Sequence, residues 1–161
     1  MPARRCWSSS AATMVADAKS PEFLLRADVN EVRNASAWLE SACLGHGMPV
    51  EQARRLDLCL NEALANIISH GGPGAQNAPV HILLNLHRGS DGNEAAVTVT
   101  DTGVEFNPLS HRPKPRPRTL DEAVPGGLGI TMMHNFSDAM SYRYAEGRNQ
   151  VTFTVRWAEE D

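Results

Sequence analysis

No apolar run in this chain approaches the roughly 20 residues that a membrane-spanning helix needs. Cysteine is scarce and unpatterned. The three cysteines, Cys6, Cys43 and Cys59, have no CxxC or Cys/His spacing, so neither a disulfide framework nor a zinc site is expected. Free thiols in a reducing compartment, the cytoplasm, are the simplest reading. Positive charge is not in surplus: 15 Lys and Arg stand against 19 Asp and Glu, a net charge of -4. That argues against a general affinity for nucleic acid or anionic membranes. The opening "MPARRCWSSSAATMVADAKSP" has two arginines but no sustained hydrophobic stretch after them, so a flexible tail over residues 1–20 is expected rather than a cleaved signal peptide. A GxxxxGK[ST] phosphate loop is absent, as is any internal repeat.

What is present fits one domain. The 161 residues, 42% of them apolar, suffice for a real core. "EFLLRA" (22–27) reads as a strand. Val29, Val32, Ala35, Leu39, Ala42 and Cys43 then recur at helical spacing, with Asp28 as a candidate N-cap and Gly45 and Gly47 as the stop. A second helix opens near Pro49 and ends at Gly71-Gly72-Pro73. Residues 79–89 and 94–101 read as strands joined through "SDGN", a hairpin signal. A Pro-rich, basic loop follows over about 102–125. "GGLGITMMHNFSD" then starts a third helix, and "AMSYRYAEGRNQVTFTVRW" closes the chain as two strands around a turn at Glu146-Gly147-Arg148-Asn149. Strands made by hairpins, with helices in blocks, predict an α+β two-layer sandwich over residues 21–158: one mixed, mostly antiparallel sheet with helices on one face.

The second helix is the first candidate for chemistry. On a helical wheel Leu56, Leu60, Leu64, Ile67 and Ile68 form a sheet-facing stripe. Glu62, Asn66, Ser69, Cys59, Ala65 and His70 fall on the opposite side, with small residues where a solvated face would carry long charges. Glu62 and Asn66 stand one turn apart. A carboxylate can accept a proton from an attacking hydroxyl, and an amide carbonyl is a hard oxygen ligand suited to Mg2+. The same ExxxN spacing also occurs in ordinary semi-exposed helices.

Three further segments bear on that face. "VTVTDTGVEF" ends a strand at Asp101, where a carboxylate can accept a hydrogen bond from an exocyclic amine such as that of adenine, with Gly103 beside it; Asp-Thr-Gly is also a common turn. "GGLGI" (126–130) puts Gly127 and Gly129 at a helix start, where exposed amides welcome phosphate. No βαβ unit surrounds it, so it is not a dinucleotide fingerprint. The loop between them carries Arg112, Lys114, Arg116 and Arg118 interleaved with prolines, either a lid or a solvated loop; its length favours a lid. His81, His87 and His134 lack metal spacing and read as structural or exposed.

In this order, these pieces resemble the Bergerat-fold (GHKL) ATP-binding superfamily and, within it, the RsbW/SpoIIAB-type anti-sigma factor serine kinases. "LNEALANIISHG" is similar to the N-box, "DTGVEF" to the first glycine box and "GGLGI" to the second. The resemblance covers residues 22 to 157. It implies Glu62 as general base and Asn66 as ligand of Mg2+. It implies Asp101 as the partner of the adenine amine, Gly103 as clearance for the ring, and Gly127, Leu128 and Gly129 as the backbone that reaches the phosphates of ATP. It further implies phosphorylation of a STAS-domain anti-anti-sigma protein, capture of a sigma factor or other client, and a homodimer, with neither nucleic acid nor membrane as partner. Departures stand at Glu105 and Pro125, where relatives often have glycine, and at "GRNQVTF", which replaces a Gly-Thr-Thr element. They leave room for an alternative, a non-catalytic partner-binding module with a structural or degenerate nucleotide site.

Overall fold

The computed structural model describes residues 19–110 and 128–159, and the side chains of residues 128–131 are outside that description. The elements run β1 (Glu22–Leu25), α1 (Val32–Gly45), α2 (Val50–His70), β2 (Val80–Gly89), β3 (Gly92–Asp101), α3 (Leu128–Phe136), β4 (Ala139–Ala145) and β5 (Arg148–Trp157). The strands form one sheet in the order β1-β2-β3-β5-β4.

Every pairing in that sheet is antiparallel, which corrects the expected mixed sheet. The reason lies in the connection through α3. A helical crossover returns the chain parallel to the strand it left, so β4 runs with β3. The tight β4–β5 turn then sends β5 back between them, and the one parallel pair is split. That turn consists of Glu146 (φ 55°) and Gly147 (φ 72°). Two left-handed residues in succession match the right-handed twist of the flanking strands. Arg148 and Asn149, expected in the turn, already belong to β5.

The helices cover one face. α2 lies on β3 and β5, with α1 and α3 packed against it. Most of its stripe is interior: Leu56 and Leu60 are 0% exposed and Leu64 1%, Ile67 is buried beside them, and Ile68 at the edge is half-buried. Burying each such side chain stabilises the fold by about 1.5–3 kcal/mol. From the sheet, Val80, Ile82 and Leu84 meet this stripe together with Ala95, Val97 and Val99, and with Phe153 and Val155. α1 adds Ala35, Leu39 and Cys43, and Phe23 of β1 stacks on Trp38 at 5.4 Å. Asp28 caps a short 3-10 turn at Val29–Glu31, so α1 itself starts at Val32. Gly47, at φ 72°, turns the chain after α1.

The core strands alternate strictly. In β3 the inward row is Asn93, Ala95, Val97, Val99 and Asp101. A carboxylate therefore ends a line of apolar side chains, at the sheet end where α2 also terminates.

Candidate active site

α2 stops where the site begins. The Gly71 amide donates to the Ile67 carbonyl, and Gly72 (φ 67°) turns the chain away. The loop after β3 crosses this end closely: the Val104 N–H donates to the Gly71 carbonyl at 2.9 Å. A Cβ on Gly103 would sit 2.8 Å from the Gly71 Cα. Glycine at 103 thus serves contact between two backbones, a reason different from clearance for a ligand ring.

Asp101 is 6% exposed. Its Oδ1 accepts from the Gly103 N–H at 2.8 Å and from Asn149 Nδ2 at 3.2 Å. Its second oxygen has no partner among the described residues. Burial pushes the carboxyl upward, against the lowering effect of the Gly103 amide and Asn149. A buried carboxylate with one oxygen satisfied and one open is built to accept a donor from a ligand.

Asn66 and Asp101 line one cavity with Ile67, Val104, Phe106 and Met133. Phe106 stacks on His70, which also lines the cavity, 6.4 Å between ring centres. Glu62 is outside that lining, one turn further back along α2. At 1.5 Å per residue, Asn66 lies about 7.5 Å and Glu62 about 13.5 Å up the helix axis from Gly71. Both side chains are half-buried and have no hydrogen-bond or ion-pair partner among the described residues. Neighbouring Asn61 behaves otherwise, donating to Ser36 Oγ at 2.9 Å and to the Asp57 carbonyl at 2.8 Å, and so serves the α1–α2 contact.

α3 packs against α2 beside Glu62. Cys59, expected on the open side with Glu62, is 1% exposed, and its Sγ lies 3.9 Å from the Met133 carbonyl oxygen. A wheel of one helix does not show the second helix that covers it. Burial pushes the Cys59 thiol up to about 12, so it is not a nucleophile at neutral pH. Leu128 and Gly129 open α3, while Gly127 and the four loop cations lie outside the described residues. Among the described residues no three His, Cys, Asp or Glu side chains converge as a metal site. His81 pairs with Glu22 at 2.9 Å.

The sequence reading missed Asn149. It is 6% exposed, lines the cavity and faces Asp101 across the β3–β5 register. The signal was present: Asn149 is in phase with Val151, Phe153 and Val155, the inward row of β5.

The profile of the histidine kinase-like ATPase domain matches residues 25–155. The chain belongs to that family. The serine/threonine-protein kinase BtrW of Bordetella bronchiseptica is 32% identical over 142 residues, which cover 88% of this chain and 97% of that protein. An anti-sigma F factor of Halalkalibacterium halodurans is 27% identical over 89 residues, 55% of this chain and 58% of the other. Two solved structures share the fold. The RsbU and RsbW domains of a Mycobacterium tuberculosis protein superpose with a TM-score of 0.57 at 17% identity, over 85% of this chain and 32% of that one. The SiaB–SiaC complex of Pseudomonas aeruginosa gives 0.56 at 13% identity, over 84% and 88%. Within the ATPase-domain family the matched span includes all of α2, the Asp101 strand end and Asn149. No described helix is long and apolar enough to cross a membrane.

Proposed function

We propose that this chain is an ATP-dependent serine/threonine protein kinase of the partner-switching type. Its phosphoryl acceptor is a serine on a STAS-domain anti-anti-sigma protein, and its second client is a sigma factor or comparable regulator. One observation carries the reading. Glu62 and Asn66, half-buried and unpartnered among the described residues, stand in sequence along a helix whose end adjoins the open oxygen of Asp101. The similarity to BtrW over nearly its whole length supports the same reading.

Each residue has a role that its surroundings permit. The open Asp101 oxygen accepts from the exocyclic amine of adenine. Asn66 supplies one hard oxygen to Mg2+, a metal that keeps several waters and travels with phosphates, so a site without a cage of carboxylates suits it. When bound, Mg2+ supplies charge neutralisation at the phosphates. Glu62 takes the proton of the acceptor hydroxyl as the serine oxygen bonds to the γ-phosphorus, the bridge to the β-phosphate breaks and ADP leaves. The Leu128–Gly129 backbone at the start of α3 offers amides to the phosphates. The buried free thiols Cys43 and Cys59 suit the cytoplasm. The family resemblance also implies a homodimer, which sedimentation of the purified chain checks.

The test is label transfer from γ-labelled ATP to a serine of a STAS-domain protein. Transfer is expected from the wild-type chain and not from Glu62→Gln, with nucleotide binding kept in both. Binding of ATP without transfer to any STAS-domain protein would reduce the chain to a non-catalytic partner-binding module.

A further inference from the structure

Asn149 makes five hydrogen bonds, and together they fix its amide in one orientation. Its Oδ1 accepts from the Tyr142 hydroxyl at 2.6 Å and from the Phe106 N–H at 3.0 Å. Its Nδ2 faces three acceptors: Asp101 Oδ1 at 3.2 Å, the Gly103 carbonyl at 3.2 Å and the Val104 carbonyl at 2.9 Å. A flipped amide would set a carbonyl oxygen against a carboxylate and two backbone carbonyls, and an NH2 against the Phe106 N–H. Burial first, and then the carboxylates of Glu105 and Asp101, raise the Tyr142 phenol, outweighing an opposing contact from the Phe106 amide. The phenol stays protonated and is the donor. Only one of the two amide orientations satisfies this set.

The consequence lies at Asp101. Asn149 and the Gly103 amide occupy the same carboxylate oxygen, so the carboxylate cannot rotate to exchange its oxygens without losing both bonds. The other oxygen is held toward the cavity. Through the same amide, Asn149 ties the loop 103–106 to β5 and so sets where Val104 and Phe106 stand over that cavity.

We propose that Asn149, oriented by Tyr142, is a positioning residue that sets base selectivity: it holds Asp101 so that a single acceptor oxygen meets the ligand, which admits a purine bearing an amine at that point and rejects one bearing a keto oxygen. The proposal rests on the nucleotide reading above. A carboxylate free to move could step away from a keto oxygen, or recruit a water to bridge it. A carboxylate held on one side cannot, so the rejection depends on the clamp and not on Asp101 alone.

The experiment titrates the full chain with fluorescent ATP and with its inosine counterpart, which has oxygen in place of the amine. It uses wild type, Asn149→Ala, Asn149→Asp and Tyr142→Phe, with thermal melts on each. The wild type should prefer ATP. Asn149→Ala should weaken ATP about tenfold and the inosine nucleotide much less, so that the preference collapses. Tyr142→Phe, which removes one hydroxyl from a half-buried ring, should keep the fold and reduce the preference part-way. Asn149→Asp sets two carboxylates together and should be the weakest binder of ATP at neutral pH. A merely structural Asn149 would lower both affinities equally and leave the ratio unchanged in Asn149→Ala and Tyr142→Phe; that result overturns the proposal. A wild-type chain that binds both nucleotides alike, or neither, would fail at an earlier point and sink the assignment of Asp101 to the adenine amine. If Asn149→Ala does not fold, the ratio in Tyr142→Phe decides alone.

Discussion

Arg55 of α2 grips the end of α3 and the start of β4. Its Nε donates to the Phe136 carbonyl at 3.0 Å and its Nη2 pairs with Asp138 Oδ1 at 3.1 Å. The other Asp138 oxygen accepts from the Arg156 N–H. Arg55 precedes Glu62 by two helical turns on the same side of α2, so the helix that presents Glu62 also anchors the helix that begins with Leu128 and Gly129. Arg55→Ala should destabilise the fold by about 1–3 kcal/mol, because it leaves a terminal carbonyl and a carboxylate without their charged donor. Urea unfolding measures this, and a loss within error of zero would make the contact ornamental.

The same carboxylate gives a pH dependence. Burial raises the Asp138 carboxyl, but the Arg156 amide and Arg55 outweigh it and hold the group below its ordinary 3.8. A depressed folded-state pKa means stability that is present above the ordinary value and lost as pH falls through the folded one. Asp138→Asn should therefore melt lower than wild type at pH 7. The gap should narrow below pH about 4 as the wild-type carboxyl protonates. A gap that stays constant down to pH 2.5 would show that charge plays no part.

Asp101 has the opposite sign. Its carboxyl is raised, so between the ordinary 3.8 and the raised value the folded chain holds more protons than the unfolded one, and stability falls as pH rises through that window. At neutral pH the unliganded chain carries the cost of a buried, half-satisfied charge. Asp101→Asn keeps an oxygen for the Gly103 amide and Asn149 and removes the charge. It should melt higher than wild type at pH 7, with the difference closing toward pH 4. It should also bind ATP about 10–100-fold more weakly, since an amide NH2 then faces the adenine amine. A lower melting temperature at pH 7 would mean that burial of this charge costs nothing.

Gly103→Ala tests the close approach of the two backbones. The new Cβ would stand 2.8 Å from the Gly71 Cα and 2.9 Å from its carbonyl oxygen, and neither is a flexible side-chain end. Overpacking of this kind costs about 1–3 kcal/mol. Gly45→Ala is the control: it ends α1 with nothing within 4 Å of its added methyl, and it should be neutral or slightly stabilising. Equal stabilities for the two variants in urea would remove packing as the reason for glycine at 103.

Where one element decides its own burial, periodicity made the structure legible. The Leu56, Leu60, Leu64 stripe follows from helix geometry alone and is buried as expected, and the strand expected to end at Asp101 does end there. What escaped depends on a second element. Cys59 shares the Glu62 side of the wheel, yet α3, arriving some 70 residues later, buries it. Glu146-Gly147-Arg148-Asn149 has turn composition, which predicts Asn149 in the loop. Only the register, with Ala145 opposite Arg148, shortens the turn to two residues and moves Asn149 inward against Asp101. Composition locates a hairpin; pairing decides which polar residue faces the core.

Asn66→Ala separates metal from base. The amide lines the cavity without a partner among the described residues, so its removal should leave the fold intact and the Asp101 end of the site undisturbed. Nucleotide binding measured without Mg2+ should change little, because base contacts dominate it. With Mg2+ present, the gain in affinity seen for the wild type should shrink by about tenfold, since one hard oxygen ligand is lost and water must replace it. Titration of ATP with and without Mg2+ against both proteins reads the difference directly. An Asn66→Ala chain that retains the full Mg2+ gain would place the ion elsewhere. It would leave Glu62 as the only residue of that helix face with a part in phosphoryl transfer.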